Sequence, residues 1–148
     1  MPRIGKYWLS LELYYAPFDT AHTWAKVEPG GIVRVGVDDF AQKQAGELRF
    51  IRLFPPGREV KQKERFGTLE TAKWVGPLIS PLSGKISQVN DEVLKRPKLV
   101  NEDPYGRGWM VIIAPTNLEE DLTRLIKGDQ AVEWLKKDIR EVAKEVVP

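Results

Sequence analysis

The sequence predicts a mainly β fold, a β-sandwich or flattened barrel, with helices at its C-terminal end. Short apolar and β-branched runs recur along most of the chain, and glycine, proline or asparagine bounds each of them. Short strands separated by frequent turns are typical of sandwiches and barrels. A sustained helical spacing of apolar residues begins only after residue 115.

Composition limits the class of protein. A chain of 148 residues with 42% hydrophobic residues suffices for one core, so we expect a single domain over residues 1–148. Its formal net charge of +2 is weak evidence for a polyanion partner. The chain has no cysteine, which excludes disulfides, thiolate metal sites and a protein thiol nucleophile. No apolar run resembles a secretion signal or a membrane span, so we expect a cytoplasmic protein without membrane contact.

The first third of the chain predicts a hairpin, a short helix and a further strand. Residues 32–37 are mostly β-branched and follow Pro29-Gly30-Gly31, which favours a hairpin with residues 24–27. Residues 38–46 contain alanine and polar residues and end in glycine, which indicates one or two helical turns. Residues 47–53 then return to strand character.

The central part of the chain has four more short apolar runs, which predict strands. They cover residues 66–72, 78–82, 85–89 and 109–114. Residues 95–108 contain two prolines and two glycines. We expect them to form a long surface loop that Tyr105 and Trp109 anchor.

The C-terminal part predicts two helices. Thr116 and Glu119 have the spacing of a capping box, and leucines follow on one helical face. A second helix is expected from Asp129. Its apolar stripe consists of Val132, Leu135, Ile139, Val142 and Val146. This stripe favours a helical extension over residues 116–147 that packs on the barrel, and a helix that docks a partner is the alternative.

Conventional catalytic groups are scarce. His22 is the only histidine, and without a visible base or metal partner we expect it to be structural. No segment has the pattern of a phosphate-binding loop, and we expect no metal site. Two glutamates interrupt the basic residues 58–65, so a solvated edge is the better interpretation of this stretch. A nucleic-acid-binding module is a remote alternative.

Lys73 is the most informative residue for function. A predicted strand runs into it, and eight positions later Pro81-Leu82-Ser83-Gly84 supplies proline and glycine for a bend. This pattern predicts a hairpin that presents Lys73 at an exposed turn. We interpret the lysine as a point of attachment for a cofactor.

Several ordered motifs are spread along the chain. They are His22-Thr23-Trp24, Gly36-Val37-Asp38-Asp39-Phe40-Ala41-Gln42, Leu69-Glu70-Thr71-Ala72-Lys73, Ser80-Pro81-Leu82-Ser83-Gly84, Val89-Asn90 and Leu99-Val100-Asn101-Glu102-Asp103-Pro104-Tyr105-Gly106-Arg107-Gly108-Trp109-Met110. Through these motifs the chain resembles the H-protein family of the glycine cleavage system over nearly its whole length.

The resemblance implies a fold and a cofactor. The implied fold is the barrel-sandwich hybrid of lipoyl and biotinyl domains, with the lysine on a hairpin tip and C-terminal helices. The implied cofactor is lipoic acid in amide linkage on Lys73, attached by a lipoate ligase or lipoyl transferase. Biotin carriers usually flank their lysine with methionines, whereas Ala72 and Trp74 do so here, which favours lipoylation. The protein is then a carrier that serves partner enzymes and is not itself an enzyme.

Two neighbours of Lys73 are candidates for recognition. Glu70 is expected to help the lipoylating enzyme find its target, and the alternative is that it only solubilises a strand. Trp74 is expected to cover part of the resting arm or to dock a partner, and packing on the neighbouring strand is its alternative.

The chain also departs from the family pattern. Thr23 and Pro77 stand where H proteins usually have acidic residues that hold the cationic amine of an aminomethyl group. Asp19 is the candidate that compensates from a shifted loop. These departures favour a carrier in sulfur oxidation with a heterodisulfide-reductase-like complex. The alternative is an H protein that carries the aminomethyl group among the glycine cleavage P, T and L proteins.

Overall fold

Three β-sheets form the body of the protein in a computed structural model that describes residues 1–147. The predicted domain of residues 1–148 therefore includes one residue, Pro148, outside the described residues. A two-stranded sheet has the order β1-β2, a six-stranded sheet the order β3-β4-β5-β11-β10-β7, and a three-stranded sheet the order β6-β8-β9. All of their strand pairs are antiparallel.

The strands are short, as the turn signals predict. Their bounds are β1 Arg3–Ile4, β2 Tyr7–Trp8, β3 Tyr14–Tyr15, β4 Thr23–Val27, β5 Val33–Val37, β6 Phe50–Leu53, β7 Glu59–Val60, β8 Arg65–Glu70, β9 Val75–Ile79, β10 Gly84–Val89 and β11 Val111–Pro115. The strand predicted over residues 78–82 is displaced, since β9 begins at Val75 and ends at Ile79. Ser80 starts a turn there, because its hydroxyl donates a hydrogen bond to the Leu82 carbonyl at 2.7 Å.

The buried faces of the two larger sheets share one hydrophobic core. Val35 and Ile113 of the six-stranded sheet belong to the same cluster as Ile51, Phe66 and Leu78 of the three-stranded sheet. In the three-stranded sheet the alternate residues Phe50, Arg52 and Pro77 are exposed, in keeping with the alternation of side chains along a strand. The mainly β prediction is confirmed by these sheets.

The β4–β5 hairpin forms as predicted, and its register explains two of the sequence motifs. Trp24 lies directly opposite Gly36. The Trp24 indole NH donates to the carbonyls of Val37 at 2.9 Å and Pro104 at 3.1 Å. A Cβ at Gly36 would lie 2.5 Å from the indole ring, so only glycine leaves room for it. The buried indole thus joins the hairpin to the segment around Pro104.

Helix α1 spans Asp39–Ala45 and agrees with the helix predicted over residues 38–46. Its N-cap is Asp38, whose carboxylate accepts from the Ala41 amide at 2.8 Å. Its C-cap is Gly46 with φ of 84°, a left-handed conformation that favours glycine.

The prediction of a long loop over residues 95–108 is wrong in part. Helix α2 spans Asp91–Lys95 and helix α3 spans Lys98–Glu102, each only five residues long. Helices this short carry too little periodicity to be detected from sequence. Tyr105 anchors the remaining segment as expected, since its hydroxyl donates to the Trp8 carbonyl at 2.7 Å and accepts from the Asp39 amide at 3.0 Å.

The C-terminal helices form, but two details of the prediction are wrong. Helix α4 spans Leu118–Leu122 and has Asn117 as its N-cap, without a side-chain hydrogen bond to the backbone, so the capping box is absent. Helix α5 spans Asp129–Glu141. The apolar stripe does not continue as helix to Val146, which lies beyond the end of α5 and is 95% exposed.

Helix α5 covers a second hydrophobic cluster. Ala131, Leu135 and Ile139 recur every four residues and are buried. They join a cluster that includes Tyr7, Tyr15, Trp24 and Phe40 from the N-terminal strands and α1. The helix therefore packs on the sheet body through its apolar stripe. Within residues 1–147 no helix is long and apolar enough to span a membrane.

Candidate functional site

Lys73 lies at the tip of the β8–β9 hairpin. Glu70 and Val75 are the last paired residues of the two strands, and the Thr71 amide then donates to the Trp74 carbonyl at 2.8 Å. Ala72 and Lys73 are left as the two residues of the turn. Both are exposed, and among residues 1–147 the Lys73 ammonium has neither a hydrogen-bond partner nor an ion pair.

The turn at Lys73 depends on Thr71 and not on the proline and glycine that suggested a bend. The Thr71 hydroxyl accepts from the Lys73 amide at 3.3 Å. Residues 81–84 instead connect β9 to β10. Gly84 is required there, because a Cβ would collide with the Ala114 carbonyl oxygen on the neighbouring strand. The exposed turn at Lys73 thus agrees with the prediction. The prediction that residues 81–84 supply the bend of this hairpin is wrong.

Trp74 folds back along its own strand. Its indole lies over Gly76, where an added Cβ would collide with the ring. The indole is nevertheless 48% exposed, so it is a large apolar surface immediately beside Lys73.

A cleft of about 490 Å³ opens beside this hairpin. The hairpin contributes Trp74 and Pro77 to its walls. Helix α1 contributes Phe40 and Gln44, and α5 contributes Asp138. Most of the lining is apolar, and Asp138 is the one carboxylate that residues 1–147 contribute to it. An aliphatic chain that starts at Lys73 has an apolar surface available within a short distance.

His22 lies in the wall of the cleft between two carboxylates. Its Nδ1 donates to Asp38 at 2.7 Å and its Nε2 donates to Asp138 at 2.6 Å. The ring stacks on Trp134 with centroids 4.3 Å apart. Burial lowers the pKa of His22, but the charges and hydrogen bonds of Asp38 and Asp138 outweigh it and raise the pKa to about 9.

The imidazole is therefore a cation at neutral pH. A charged imidazole donates from both ring nitrogens, which this arrangement requires. The structure gives His22 the partners that the sequence did not reveal, and they are carboxylates that tie β4 and α1 to α5. Within residues 1–147 no group of three or more histidine, aspartate and glutamate side chains is placed to hold a metal ion.

The other predicted site residues do not gather around the cleft. Thr23 is buried, and its hydroxyl donates to the Ile79 carbonyl at 2.8 Å, which links β4 to the end of β9. Asp19 is exposed with φ of 53° and does not line the cleft. Glu70 is partly exposed and lies between Phe50 and Val75 across the three-stranded sheet.

Three cleft residues were missed from the sequence. Asp138 was not singled out, because its bond to His22 spans 116 residues. Phe40 and Gln44 lie on the short helix α1. The spacing of i and i+4 places them on one face of a helix, which was the available signal.

Comparison with known proteins identifies the family of this chain. The sequence model of the glycine cleavage H-protein family matches residues 13–138. The chain is 43% identical over 116 residues to glycine cleavage system H protein 2 of Aquifex aeolicus, covering 78% of this chain and 72% of that protein. It is 39% identical over 136 residues to a probable glycine cleavage system H protein of Pyrococcus abyssi, covering 92% and 98%.

A solved structure agrees in fold. The crystal structure of a glycine cleavage system H protein from Mycobacterium marinum matches with a TM-score of 0.74 and 32% sequence identity, covering 88% of this chain and 98% of that one. Glycine cleavage H proteins carry lipoic acid covalently attached to a lysine. The hybrid β fold with C-terminal helices, the family match and the identities agree, and the chain belongs to the glycine cleavage H-protein family.

Proposed function

We propose that this protein carries lipoic acid in amide linkage on Lys73 and serves as an H protein of the glycine cleavage system. The observation that carries the proposal is the position of Lys73. It is an exposed lysine, without a partner among residues 1–147, at a two-residue turn beside a largely apolar cleft, in a family whose members carry lipoic acid on a lysine.

The residues at the site fit such a group. Lysine Nζ forms the amide by displacing the activating group from a lipoyl carboxyl and losing its protons to solvent. Lys73 needs an accessible amine for this reaction, and no neighbour within residues 1–147 competes for it. The bound group supplies a disulfide that is reduced and reoxidised, on an arm that extends on the order of 14 Å.

The hairpin gives the arm a fixed base. Ladder hydrogen bonds hold β8 between β6 and β9, so the position of Lys73 is defined by the sheet. A rigid base and a flexible arm raise the local concentration of the carried group at a docked enzyme to roughly millimolar. The chain has no cysteine, so no thiol of its own attacks the arm disulfide.

The cargo assignment differs from the one that the sequence favoured. Thr23 and Pro77 favoured sulfur oxidation, because they remove two acidic residues. The relatives named above are glycine cleavage H proteins, which supports the aminomethyl group as cargo and the P, T and L proteins as partners. Asp138 also keeps one carboxylate in the wall of the cleft.

Sulfur transfer with a heterodisulfide-reductase-like complex is the second candidate, and one observation favours it. The Thr23 hydroxyl is engaged within the fold, and Pro77 gives the cleft an uncharged wall. An ammonium group buried there would have only the carboxylate that already pairs with His22.

The attachment is tested by intact-mass measurement after incubation with a lipoate ligase, lipoate and ATP. We expect one lipoyl increment on the wild-type protein and none on Lys73→Arg, while Lys85→Arg, at an exposed strand position, is modified normally. An unmodified wild-type protein with a ligase that modifies another H protein would refute the carrier function.

The cargo is tested with the lipoylated protein. We expect it to support glycine-dependent release of labelled carbon dioxide by glycine decarboxylase and to acquire an aminomethyl increment. Loading of a sulfane sulfur from the reductase-like complex, with no aminomethyl increment, would replace the first candidate by the second.

A further inference from the structure

A second groove, of about 470 Å³, lies between the start of β6 and the corner that joins α2 to α3. Its walls carry the side chains of Arg49, Phe50, Lys95, Arg96 and Lys98, with Glu47 at one end. All six residues are exposed. Nothing in the carrier function proposed above uses this groove.

The groove concentrates positive charge. Four cationic side chains face one carboxylate, whereas the whole chain has a formal net charge of only +2. Among residues 1–147, Arg96 is the one of these cations with an ion pair, to exposed Glu102 at 2.8 Å. Arg49, Lys95 and Lys98 therefore remain available to a partner with negative charge.

An apolar anchor lies in the same groove. Phe50 is 59% exposed, because its strand places Ile51 in the core and Phe50 on the opposite face. Val75, also 59% exposed, lies on that face two strands away, with Glu70 between them. Aromatic side chains and arginine are enriched in protein interfaces, and Phe50 and Arg49 supply one of each to this groove.

The groove adjoins the lysine turn. The Arg49 amide donates to the Glu70 carbonyl at 2.8 Å, and Glu70 is the last paired residue of β8 before the turn. A typical interface covers roughly 800 Å² of each partner. A protein that covers the tip of the hairpin on this side therefore has the groove within the area of one typical interface.

The enzymes that act on the protein differ in how closely they must approach the turn at Lys73. An enzyme that works on the completed arm reaches its group on the order of 14 Å from the backbone. The attaching enzyme must bring its active site to the Lys73 amine itself, less than half of that distance from the turn. The attaching enzyme therefore depends more on contacts with the surface next to the hairpin than the enzymes that use the completed arm.

We propose that the groove of Arg49, Phe50, Lys95 and Lys98 docks the enzyme that attaches lipoic acid to Lys73, through an acidic segment of that enzyme with an apolar side chain against Phe50. This inference rests on the proposed lipoylation of Lys73. The residues of this recognition surface lie more than twenty sequence positions before or after Lys73. They act in addition to the recognition expected of Glu70.

The test uses initial rates of attachment by a lipoate ligase from the same organism, with lipoate and ATP saturating and the carrier concentration varied. We expect Arg49→Glu/Lys98→Glu to raise KM for the carrier about tenfold with kcat within about twofold of wild type. Phe50→Ala is expected to raise KM by a similar factor. Added salt should raise KM of the wild-type protein and have a weaker effect on the charge variant.

Matched controls separate docking from general effects. Lys26→Glu/Lys85→Glu makes the same change in net charge at exposed positions of the six-stranded sheet, and Val27→Ala removes exposed apolar surface there. These variants should keep the wild-type KM. Circular dichroism and thermal unfolding will show that each variant is folded.

The possible outcomes are distinct. If the wild-type protein acquires no lipoyl increment, the proposed function fails and this inference fails with it. If the wild-type protein is modified but the groove variants keep its KM, only the docking inference is overturned. Salt-sensitive binding of a single-stranded oligonucleotide that Arg49→Glu/Lys98→Glu abolishes, with KM unchanged, would assign the groove to nucleic acid and also overturn it.

Discussion

His22 shows how one residue joins two parts of the molecule. Its buried imidazolium bridges Asp38, the N-cap of α1, and Asp138 on α5. Each ring nitrogen lies within 2.7 Å of a carboxylate oxygen, so both N–H groups of the buried imidazolium are paired. The bridge also forms part of the wall of the cleft, since His22 and Asp138 both line it.

The pKa of His22 gives stability a pH dependence. Because the pKa is raised to about 9 in the folded protein from 6.5, the contribution is fully present below pH 6.5 and is lost as pH rises through 9. Its size is about 3 kcal/mol from the shift in pKa. We expect urea unfolding to show that wild type exceeds His22→Gln in stability at pH 6 and that the difference shrinks by pH 10. Parallel pH profiles for the two proteins would contradict this.

Two tryptophans approach glycines in different ways. The Trp24 ring is fully buried and bonded to two carbonyls, whereas the Trp74 ring lies over Gly76 at the surface. A methyl group on Gly36 or Gly76 meets an indole in both cases. Only the Trp74 indole is free to rotate away.

The two Gly→Ala substitutions should therefore differ in their effects. We expect Gly36→Ala to destabilise the protein by about 2 kcal/mol or more, since the ring cannot move. Gly76→Ala should change stability by less than about 0.5 kcal/mol and shift tryptophan emission as the Trp74 indole moves into water. The emission shift should be absent when Gly76→Ala is combined with Trp74→Phe. Equal stability losses at the two glycines would show that the Trp74 ring is fixed.

At the scale of elements, α5 is attached to the sheets by a narrow stripe. Ala131, Leu135 and Ile139 are buried, whereas Val142, just past the helix end, is 51% exposed. The stripe supplies the apolar contacts and Asp138 supplies the one polar link to His22. The helix thus contributes both to the second core and to the cleft.

Truncation of the stripe measures this attachment. We expect Leu135→Ala to lower the free energy of unfolding by about 2–5 kcal/mol, because a buried leucine leaves a cavity. Val142→Ala is the matched control and should change it by less than about 0.5 kcal/mol. Equal effects of the two substitutions in urea unfolding would mean that α5 is not packed as described.

Elements with a regular period were predictable, and those fixed by distant contacts were not. The β4–β5 hairpin, α1 and α5 follow from alternation, capping and an apolar stripe in the sequence. Helices α2 and α3 are too short to show a period. Asn101 of α3 is held by a distant group, since its side-chain amide donates to the Gly46 carbonyl at 2.8 Å. No local pattern in a sequence reports such a contact.

The candidate site, too, was predictable only in part. Lys73 on its exposed turn was predictable, because strand and turn patterns are local. The cleft was not, because its walls come from the hairpin, α1 and α5. Thr23 was identified as a site candidate from its place in a motif, yet it is buried and its hydroxyl donates to the Ile79 carbonyl.

For the whole molecule, the absence of cysteine makes the carried group measurable. The 148 residues contain no thiol, so any thiol found after lipoylation and reduction would belong to the proposed arm. We expect titration with a thiol reagent to find one dithiol per lipoylated and reduced chain. The Lys73→Arg variant treated in the same way should give no signal. Thiols in that variant would place the attachment at a different lysine.

The bond between His22 and Asp138 also bears on the order of events during synthesis. It closes a loop of 116 residues, whereas β8 and β9 pair across a turn of a few residues. Local pairing precedes such distant closure, because closing a long loop costs more entropy. The hairpin emerges and pairs while α5 is still being made. The turn that presents Lys73 is thus expected to form before the last wall of the cleft exists.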